Sequence, residues 1–238
     1  MDMQVCAEYG PVGTGLLLQN FEIFNGLTSV ECADVSKLTR LRTYRSGSYI
    51  ISETQNHNDV FFIVSGKVRS CAISEHGKQI YYEDLHAGAM FGEFAAIDNS
   101  RRSADCLAVI ETVLVTVSGQ TFLDIMDTYP SVKDAVLRRL LKIARNQMQR
   151  LSEISFFSVN QRVRLELIRM GNELRSASGS IEFTSVPTHT EIALRIGTHR
   201  EAVTRELSRL HKKGFITWDR GKHIIHDISE LIEYTKNQ

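Results

Sequence analysis

A glutamate and an arginine nine residues apart are the first side chains whose types indicate a ligand site. They lie in the segments F-G-E-F-A-A-I at 91–97 and R-S-A at 102–104. The planar guanidinium of Arg102 suits phosphate oxygens, and an ionised Glu93 can only accept hydrogen bonds, which suits a hydroxyl. Gly92 allows a ligand to approach the backbone closely. The segments indicate an anionic, hydroxyl-bearing ligand, although Glu93 and Arg102 could also form an ordinary surface ion pair.

A second set of polar residues, toward the C-terminus, suits a polyanion. Residues 188–223 hold eight Lys and Arg against four Asp and Glu, and residues 159–238 carry a net charge of +3 against −3 for 1–158. At about 100° per residue, a helix through this segment places Arg200, Glu201, Thr204 and Arg205 on one face. Arginine suits guanine and glutamate suits cytosine in the major groove. A solvated charged face would have a similar composition.

The first segments lie among predicted strands. Residues 60–64 and 113–117 are β-branched or apolar, and residues 67–73 alternate with period two. Turns are predicted at 65–66, at 75–78 and at Gly88. Strands joined by glycine-bearing turns without intervening helices predict an antiparallel roll or barrel.

A long helix is predicted from Ser131 to about Phe157, because Pro130 suits its start and no Gly or Pro follows. Apolar residues at spacings of three and four predict a two-stranded coiled-coil seam and a parallel homodimer. The alternative is one helix packed on its own domain. The proposed seam consists of Leu137, Leu140, Ala144, Gln147, Leu151 and Ile154, and the apolar residues left to pack on the roll are Val136, Leu141, Ile143 and Met148.

Three capping boxes predict the helices that follow. The first begins at Ser158, directly after the long helix, and makes Phe157/Ser158 a hinge; its helix is expected to end at 175–179. The boxes at Thr188 and Thr198 start helices at about 190–195 and 199–212, which form a helix-turn-helix. Residues 215–218 and 223–226 read as the two strands of a wing beside it.

The two groups of residues together resemble the catabolite-activator (CRP/FNR) family of bacterial transcription regulators, over about residues 23–232. The G-E-F-A and R-S-A segments resemble the phosphate-binding cassette of cyclic-nucleotide domains, and H-R-E-A-V-T-R at 199–205 resembles the family's recognition helix. The resemblance implies an α+β chain: a cyclic-nucleotide-binding antiparallel β-roll (1–130), a dimerisation helix (131–157) and a winged helix-turn-helix (158–238).

The family resemblance implies cyclic AMP as effector, with its phosphodiester on Arg102 and its ribose 2′-hydroxyl on Glu93. Family members that bind cyclic AMP commonly carry Thr-Ser on the long helix, where this sequence has Gln147 and Met148. An amide at Gln147 could read adenine or guanine, so cyclic GMP is also possible; alternatively Gln147 only sets the helix register. The expected ligand residues are Gly92, Glu93, Phe94, Ala95, Arg102, Ser103, Ala104 and Gln147.

The winged helix implies double-stranded DNA as partner, with RNA polymerase recruited or blocked. Base contacts are expected from Arg200, Arg205 and Glu201, although Glu201 could instead serve only as the box partner of Thr198. The residues expected to contact phosphates are His199, Thr188, Thr190, Arg220 and Lys222.

Other classes of function fit less well. The 238 residues, 42% hydrophobic and with zero net charge, are typical of a globular chain, and neither a membrane span nor a signal peptide is expected, so we expect a cytoplasmic protein. Four scattered cysteines fit neither an iron–sulfur cluster nor zinc, no metal site is expected, and histidines on the roll are a weak case for haem. No catalytic motif is found, so no enzyme is expected. Two alternatives remain: a regulator of this fold with another small effector, and a cyclic-nucleotide-binding regulatory subunit that binds no DNA.

Overall fold

Packing contacts divide the chain into two units, residues 1–144 and 145–238. The division falls within the long helix, so each unit contains part of that helix and has a hydrophobic core of its own. The computed structural model describes residues 5–9, 17–73, 79–173, 180–183, 187–219 and 222–236.

The first unit contains two antiparallel sheets, which confirms the predicted roll. One sheet has the strand order β1-β2-β9-β4-β7 and the other has the order β3-β8-β5-β6. The predicted turn at 75–78 lies outside the described residues. The strands are β1 Val5–Tyr9, β2 Arg40–Tyr44, β3 Tyr49–Ile51, β4 Val60–Ser65, β5 Lys67–Ile73, β6 Gln79–His86, β7 Met90–Phe91, β8 Asp105–Ala108 and β9 Thr112–Val117.

The position of strand β4 in the fold explains why its run of apolar residues is unbroken. Side chains alternate between the faces of a strand, and both faces of β4 are covered. Phe61 and Ile63 belong to one core cluster with Ile50, while Val60 and Phe62 belong to a second cluster. Strand β4 also pairs with β7, and this pairing fixes the position of the residues that follow Phe91.

Helices close the second of these clusters. Val132 and Val136, near the start of the long helix, are fully buried in it. The expectation that Leu141 also packs on the roll is wrong, because this residue is 58% exposed. Met148, which belongs to the second unit, is 69% exposed. The helices of this unit are α1 Ser29–Ser36, α2 Glu93–Asp98, α3 Gly119–Thr128 and the start of α4 Pro130–Phe156, preceded by a short 3-10 helix at Glu22–Phe24.

The second unit is a helix-turn-helix beside a small antiparallel sheet of order β10-β12-β11. The strand β10 was missing from the sequence prediction, which had only two strands in the wing. The elements are α5 Val159–Glu173, β10 Ile181–Glu182, α6 His189–Arg195, α7 Arg200–Lys212, β11 Ile216–Asp219, β12 Lys222–Ile225 and α8 Ile228–Lys236.

Two of the three predicted capping boxes form. Ser158 and Gln161 cap α5 reciprocally, and Thr188 and Glu191 cap α6. The box predicted at Thr198 is wrong: α7 starts one residue later, after His199, which makes no side-chain capping bond. The predicted end of α5 at 175–179 lies outside the described residues. The architecture of roll, long helix and helix-turn-helix is nevertheless the predicted α+β fold.

Candidate functional site

Gly92 turns the chain from β7 into α2 and can only be a glycine. Its φ is +85°, in the left-handed region, and a Cβ there would lie 2.8 Å from the Asp59 carbonyl oxygen and 3.0 Å from Arg102 Nη1. The groups that require a glycine here belong to the protein, and one of them is the arginine of the site. The close approach of a ligand to Gly92 stays a prediction. Residues 95–97 are helical and belong to α2.

Arg102 is buried beside this turn. Only 6% of its surface is exposed. Its Nη1 donates to the Gly92 carbonyl at 2.8 Å, and its Nη2 lies 2.8 Å from the Asp59 carbonyl and 3.1 Å from His57 Nδ1. Its Nε has no hydrogen-bond partner among the described residues. Burial lowers the pKa of Arg102, but an arginine stays charged at any physiological pH.

Glu93 is only 3% exposed and contacts a residue that the sequence did not point to. Its Oε1 lies 3.4 Å from Arg139 Nε of α4, and Arg139 Nη2 also donates to the Met90 carbonyl. Burial raises the pKa of Glu93, while Arg139 opposes that rise. An ordinary surface ion pair between Glu93 and Arg102 is therefore the wrong interpretation, because both are buried and each has other partners.

The other residues of the expected ligand set differ in exposure. Ala95 is buried, Ala104 is half-buried, and Ser103 is exposed; Phe94 on α2 is 40% exposed. Gln147 lies on α4 in the second unit and its side chain is exposed. Its predicted role toward the base stays a prediction.

The residues present at Gly92 and Arg102 fit a cyclic phosphodiester. A guanidinium that is deprived of water and keeps one unpaired N–H is a strong donor for an anion. When bound, a cyclic nucleotide would supply one negative charge for Arg102 and a 2′-hydroxyl for which Glu93 is the acceptor.

Apolar side chains form an exposed stripe along α4. Five of them recur at spacings of four and three, the repeat of a coiled-coil seam. Ile154 of the predicted seam and Phe156 are exposed as well, at 55% and 81%. This stripe differs from the predicted seam at alternate positions, because Leu140 packs partly against the core of the roll instead. The stripe consists of Leu137, Leu141, Ala144, Met148 and Leu151.

The second group of predicted residues lies on one exposed face of α7. Arg200, Glu201, Thr204 and Arg205 are exposed, whereas the opposite face of α7 is buried in the core of the second unit. Because the Thr198 box does not form, Glu201 is not occupied as its partner. This face has the donors and acceptor needed to read base edges.

The residues expected to contact phosphates differ in their exposure and in the hydrogen bonds that they already make. Thr190 and His199 are exposed, but the Thr188 hydroxyl already takes part in the α6 cap. His189 Nδ1 lies 2.8 Å from the Thr204 hydroxyl, and burial, with Arg200 and His223, lowers the pKa of His189, which favours its neutral form. Arg220 and the side chain of Lys222 lie outside what the structure describes.

A buried ion pair fixes α7 in its unit. Arg164 Nε of α5 and Glu206 Oε1 of α7 are 2.6 Å apart, and each side chain is 1% exposed. The guanidinium of Arg164 also lies 4.4 Å above the Tyr234 ring. Removing Glu206 would leave Arg164 buried without this counter-ion, which is strongly destabilising. Glu206 also lies 3.8 Å from Arg209. The buried side of α7 is thus anchored to α5, which fixes the orientation of the polar face of α7 within its unit.

A second network of ion pairs joins the end of α4 to the helix-turn-helix. Arg169 of α5 contacts both oxygens of Glu153 at 2.9 and 2.8 Å and also pairs with Glu166. Glu166 in turn lies 3.3 Å from Arg195 at the end of α6. The junction predicted as a hinge at Phe157/Ser158 is therefore spanned by charge pairs.

The described residues contain neither a metal-binding cluster nor a membrane-spanning helix. No group of three or more His, Cys, Asp or Glu side chains could hold a metal ion. No helix in the described part of the chain is long and apolar enough to span a bilayer.

Family models match both units. The cyclic nucleotide-binding domain matches residues 41–129, and the Crp-like helix-turn-helix domain matches residues 161–234. The chain is 23% identical over 217 residues to the CRP-like cAMP-activated global transcriptional regulator of Mycobacterium tuberculosis, covering 91% of this chain and 96% of that one. It is 26% identical over 211 residues to the cyclic AMP receptor protein of Thermus thermophilus, covering 89% and 95%.

A solved structure shares the fold over nearly the whole chain. A CooA variant from Carboxydothermus hydrogenoformans superposes with a TM-score of 0.74 at 19% identity and covers 98% of both chains. The Mycobacterium tuberculosis relative is named as a transcriptional regulator. Because the two family models occur in order in one chain and the relatives align along nearly all of it, this chain belongs to the CRP/FNR family of cyclic-nucleotide-binding transcription regulators.

Proposed function

We propose that this chain is a homodimeric regulator that binds palindromic promoter DNA when cyclic AMP, or alternatively cyclic GMP, occupies the roll. The observation that carries the proposal is the burial of both Glu93 and Arg102 next to Gly92. The Nε of Arg102 has no hydrogen-bond partner among the described residues. Both curated relatives above are named for cyclic AMP, which supports cyclic AMP as first choice. We retain residues 1–130, 131–157 and 158–238 as the ligand, dimerisation and DNA-binding segments.

In this proposal each residue of the roll has a separate task. Arg102 binds the exocyclic phosphate oxygens and Glu93 accepts the ribose 2′-hydroxyl. Ser103, which is exposed, adds a hydroxyl donor. The remaining residues that line the ligand site are Phe94, Ala95 and Ala104. Gln147 contacts the base and sets the preference between adenine and guanine.

The exposed stripe on α4 supports the dimer. A run of exposed leucines and a methionine on one helix face is unfavourable in water, and its heptad spacing fits a second, parallel copy of the same helix. A parallel pair would present two copies of α7 to DNA. Half-sites would then lie about 34 Å apart, one turn of B-DNA.

DNA binding in this proposal depends on a shift between two arrangements of the dimer. The nucleotide must bind one arrangement better than the other, since otherwise no population changes. Arg200, Arg205 and Glu201 read bases, and His199, Thr188, Thr190, Arg220 and Lys222 contact phosphates. The bound dimer recruits or blocks RNA polymerase in the cytoplasm.

Calorimetry with cyclic AMP, cyclic GMP and 2′-deoxy cyclic AMP tests the ligand. We expect at least one ribonucleotide to bind and the deoxy analogue to bind more weakly. In Glu93→Gln the difference between ribo and deoxy ligands should shrink. If neither ribonucleotide gives heat, the chain senses another effector; if a nucleotide binds but no DNA does, it is a regulatory subunit of another kind.

A further inference from the structure

His57 is a polar residue of the roll that the ligand assignment above leaves without a role. It precedes β4, and its ring lies edge-on to Phe61, with centroids 6.4 Å apart. Its Nδ1 lies 3.1 Å from Arg102 Nη2, and its Nε2 lies 2.9 Å from Gln55 Oε1. It is the side-chain partner of Arg102 among the described residues, since the other two partners are backbone carbonyls.

The neighbouring groups determine which ring nitrogen carries the proton. The backbone N–H of Ser52 donates to Gln55 Oε1 at 3.1 Å, so that oxygen is an acceptor and His57 Nε2 must donate to it. A guanidinium has donors only, so His57 Nδ1 must accept from Arg102. The contacts are therefore satisfied together only by a neutral histidine with its proton on Nε2.

A second proton on His57 would remove the acceptor and place two positive charges side by side. The charged groups that act on the ring are Arg102 and Arg42, which disfavour its protonation, and Asp59, which favours it. Burial has the largest effect and, with the two arginines, lowers the pKa of His57. The neutral form is therefore the one present near neutral pH.

We propose that His57 is a positioning residue for nucleotide binding, which holds Arg102 in place through Nδ1 and releases it when the ring is protonated. This inference rests on the proposed function, in which Arg102 binds the cyclic phosphate. Protons and the nucleotide then compete, and affinity falls as the pH drops through the pKa of His57, by at most about tenfold per pH unit for one titrating group.

Two variants separate the hydrogen bond from the charge. In His57→Phe a ring still packs on Phe61 but no acceptor remains, so affinity should fall about tenfold at all pH values. In His57→Asn the amide oxygen can replace Nδ1 as acceptor but cannot titrate. This variant should bind like the unchanged protein at about pH 8 and lose less affinity at about pH 5.5. Glu93, whose pKa burial raises, is present in all three proteins, so its titration is common to them.

The experiment is calorimetry of cyclic AMP and cyclic GMP with the full chain from about pH 8 to pH 5.5, with thermal melting of each variant as the folding control. Nitrogen-15 shifts of the His57 ring give an independent readout and should report the Nε2–H tautomer. An Nδ1–H tautomer would overturn the proposal, as would a His57→Asn affinity that falls with acid as steeply as that of the unchanged protein. If the unchanged protein binds neither nucleotide at about pH 8, the proposed function itself fails, whereas the tautomer result stands apart from it.

Discussion

At the scale of single residues, the two polar side chains of the cassette are held from different directions. Arg102 is bound by backbone carbonyls and by His57 within the roll, whereas Glu93 pairs with Arg139 of α4. Both side chains are buried, so neither is free to rotate into solvent before a ligand binds. Such preorganisation lowers the entropic cost of binding.

Replacing Arg102 tests the anionic contact directly. Arg102→Leu should abolish measurable nucleotide binding, because the loss of a charge-assisted hydrogen bond costs about 2–3 kcal/mol. The matched control is Arg101→Leu, an exposed neighbour that should bind normally. Calorimetry decides the outcome, with melting curves to show that the variant is folded. Equal affinities of the two variants would remove Arg102 from the site.

Replacing Gln147 tests the contact with the base. In Gln147→Ala the affinities for cyclic AMP and cyclic GMP should change by different factors, because an amide makes different hydrogen bonds with adenine and guanine. Paired calorimetric titrations measure both. If both affinities stay the same and only dimer dissociation changes, Gln147 sets the helix register instead.

The sequence identifies these residues unequally. Gly92, Glu93 and Arg102 form a short local motif, so a reader of the sequence can find them. Arg139 and His57 contact the motif from 46 and 45 residues away, and their positions depend on how the roll folds. No spacing in the sequence indicates such contacts.

At the scale of elements, α4 has one face on the roll and one face exposed. Leu141→Lys on the exposed stripe should weaken the dimer about 100-fold or more, because two copies each lose about 1.5–3 kcal/mol of apolar burial. Asn146→Lys, on the other side of the helix, is the control for added charge. Analytical ultracentrifugation measures dissociation. A dimer unaffected by Leu141→Lys would show that the stripe is not the interface.

Substitutions in helix α7 and in the wing should weaken DNA binding in different ways. Arg200→Ala should cost about 1–3 kcal/mol and relax the preference at one base position per half-site. Lys222→Ala should weaken all sequences alike and lower the salt slope by about one unit. Titrations of a palindrome and its single-base variants at several salt concentrations distinguish the two. An Arg200→Ala loss that is equal for every variant would mean a backbone contact.

The exposed face of α4 and the start of α7 could not be predicted correctly from the sequence. Two heptad patterns on α4 share Leu137, Ala144 and Leu151. The predicted pattern has Leu140 and the polar Gln147 where the exposed stripe has Leu141 and Met148. Leu140 packs partly against the core of the roll, which favours the exposed stripe as the seam. Similarly, the T-x-x-E pattern at Thr198 fits a cap, but α7 begins after His199.

At the scale of the whole molecule, the proposed function requires coupling between the nucleotide site and the DNA site, which lie on separate units. Coupling is a free energy and is reciprocal, so a nucleotide that favours DNA binding must itself bind more tightly when DNA is present. The ion pairs from Glu153 through Arg169 and Glu166 to Arg195 tie the end of α4 to α6. In the proposed function these ion pairs would pass a change in α4 to the helix-turn-helix, and the hinge at Phe157/Ser158 stays a prediction.

The most direct test of the central claim is DNA affinity with and without nucleotide. A palindrome is first selected from DNA with randomised half-sites in the presence of cyclic AMP and cyclic GMP, and fluorescence anisotropy then measures binding by the unchanged protein and by Arg102→Leu. We expect saturating nucleotide to tighten binding of the unchanged protein about 5- to 150-fold, the usual range of allosteric coupling, and to leave Arg102→Leu unchanged. An affinity of the unchanged protein that is the same with either nucleotide and without it would contradict the account.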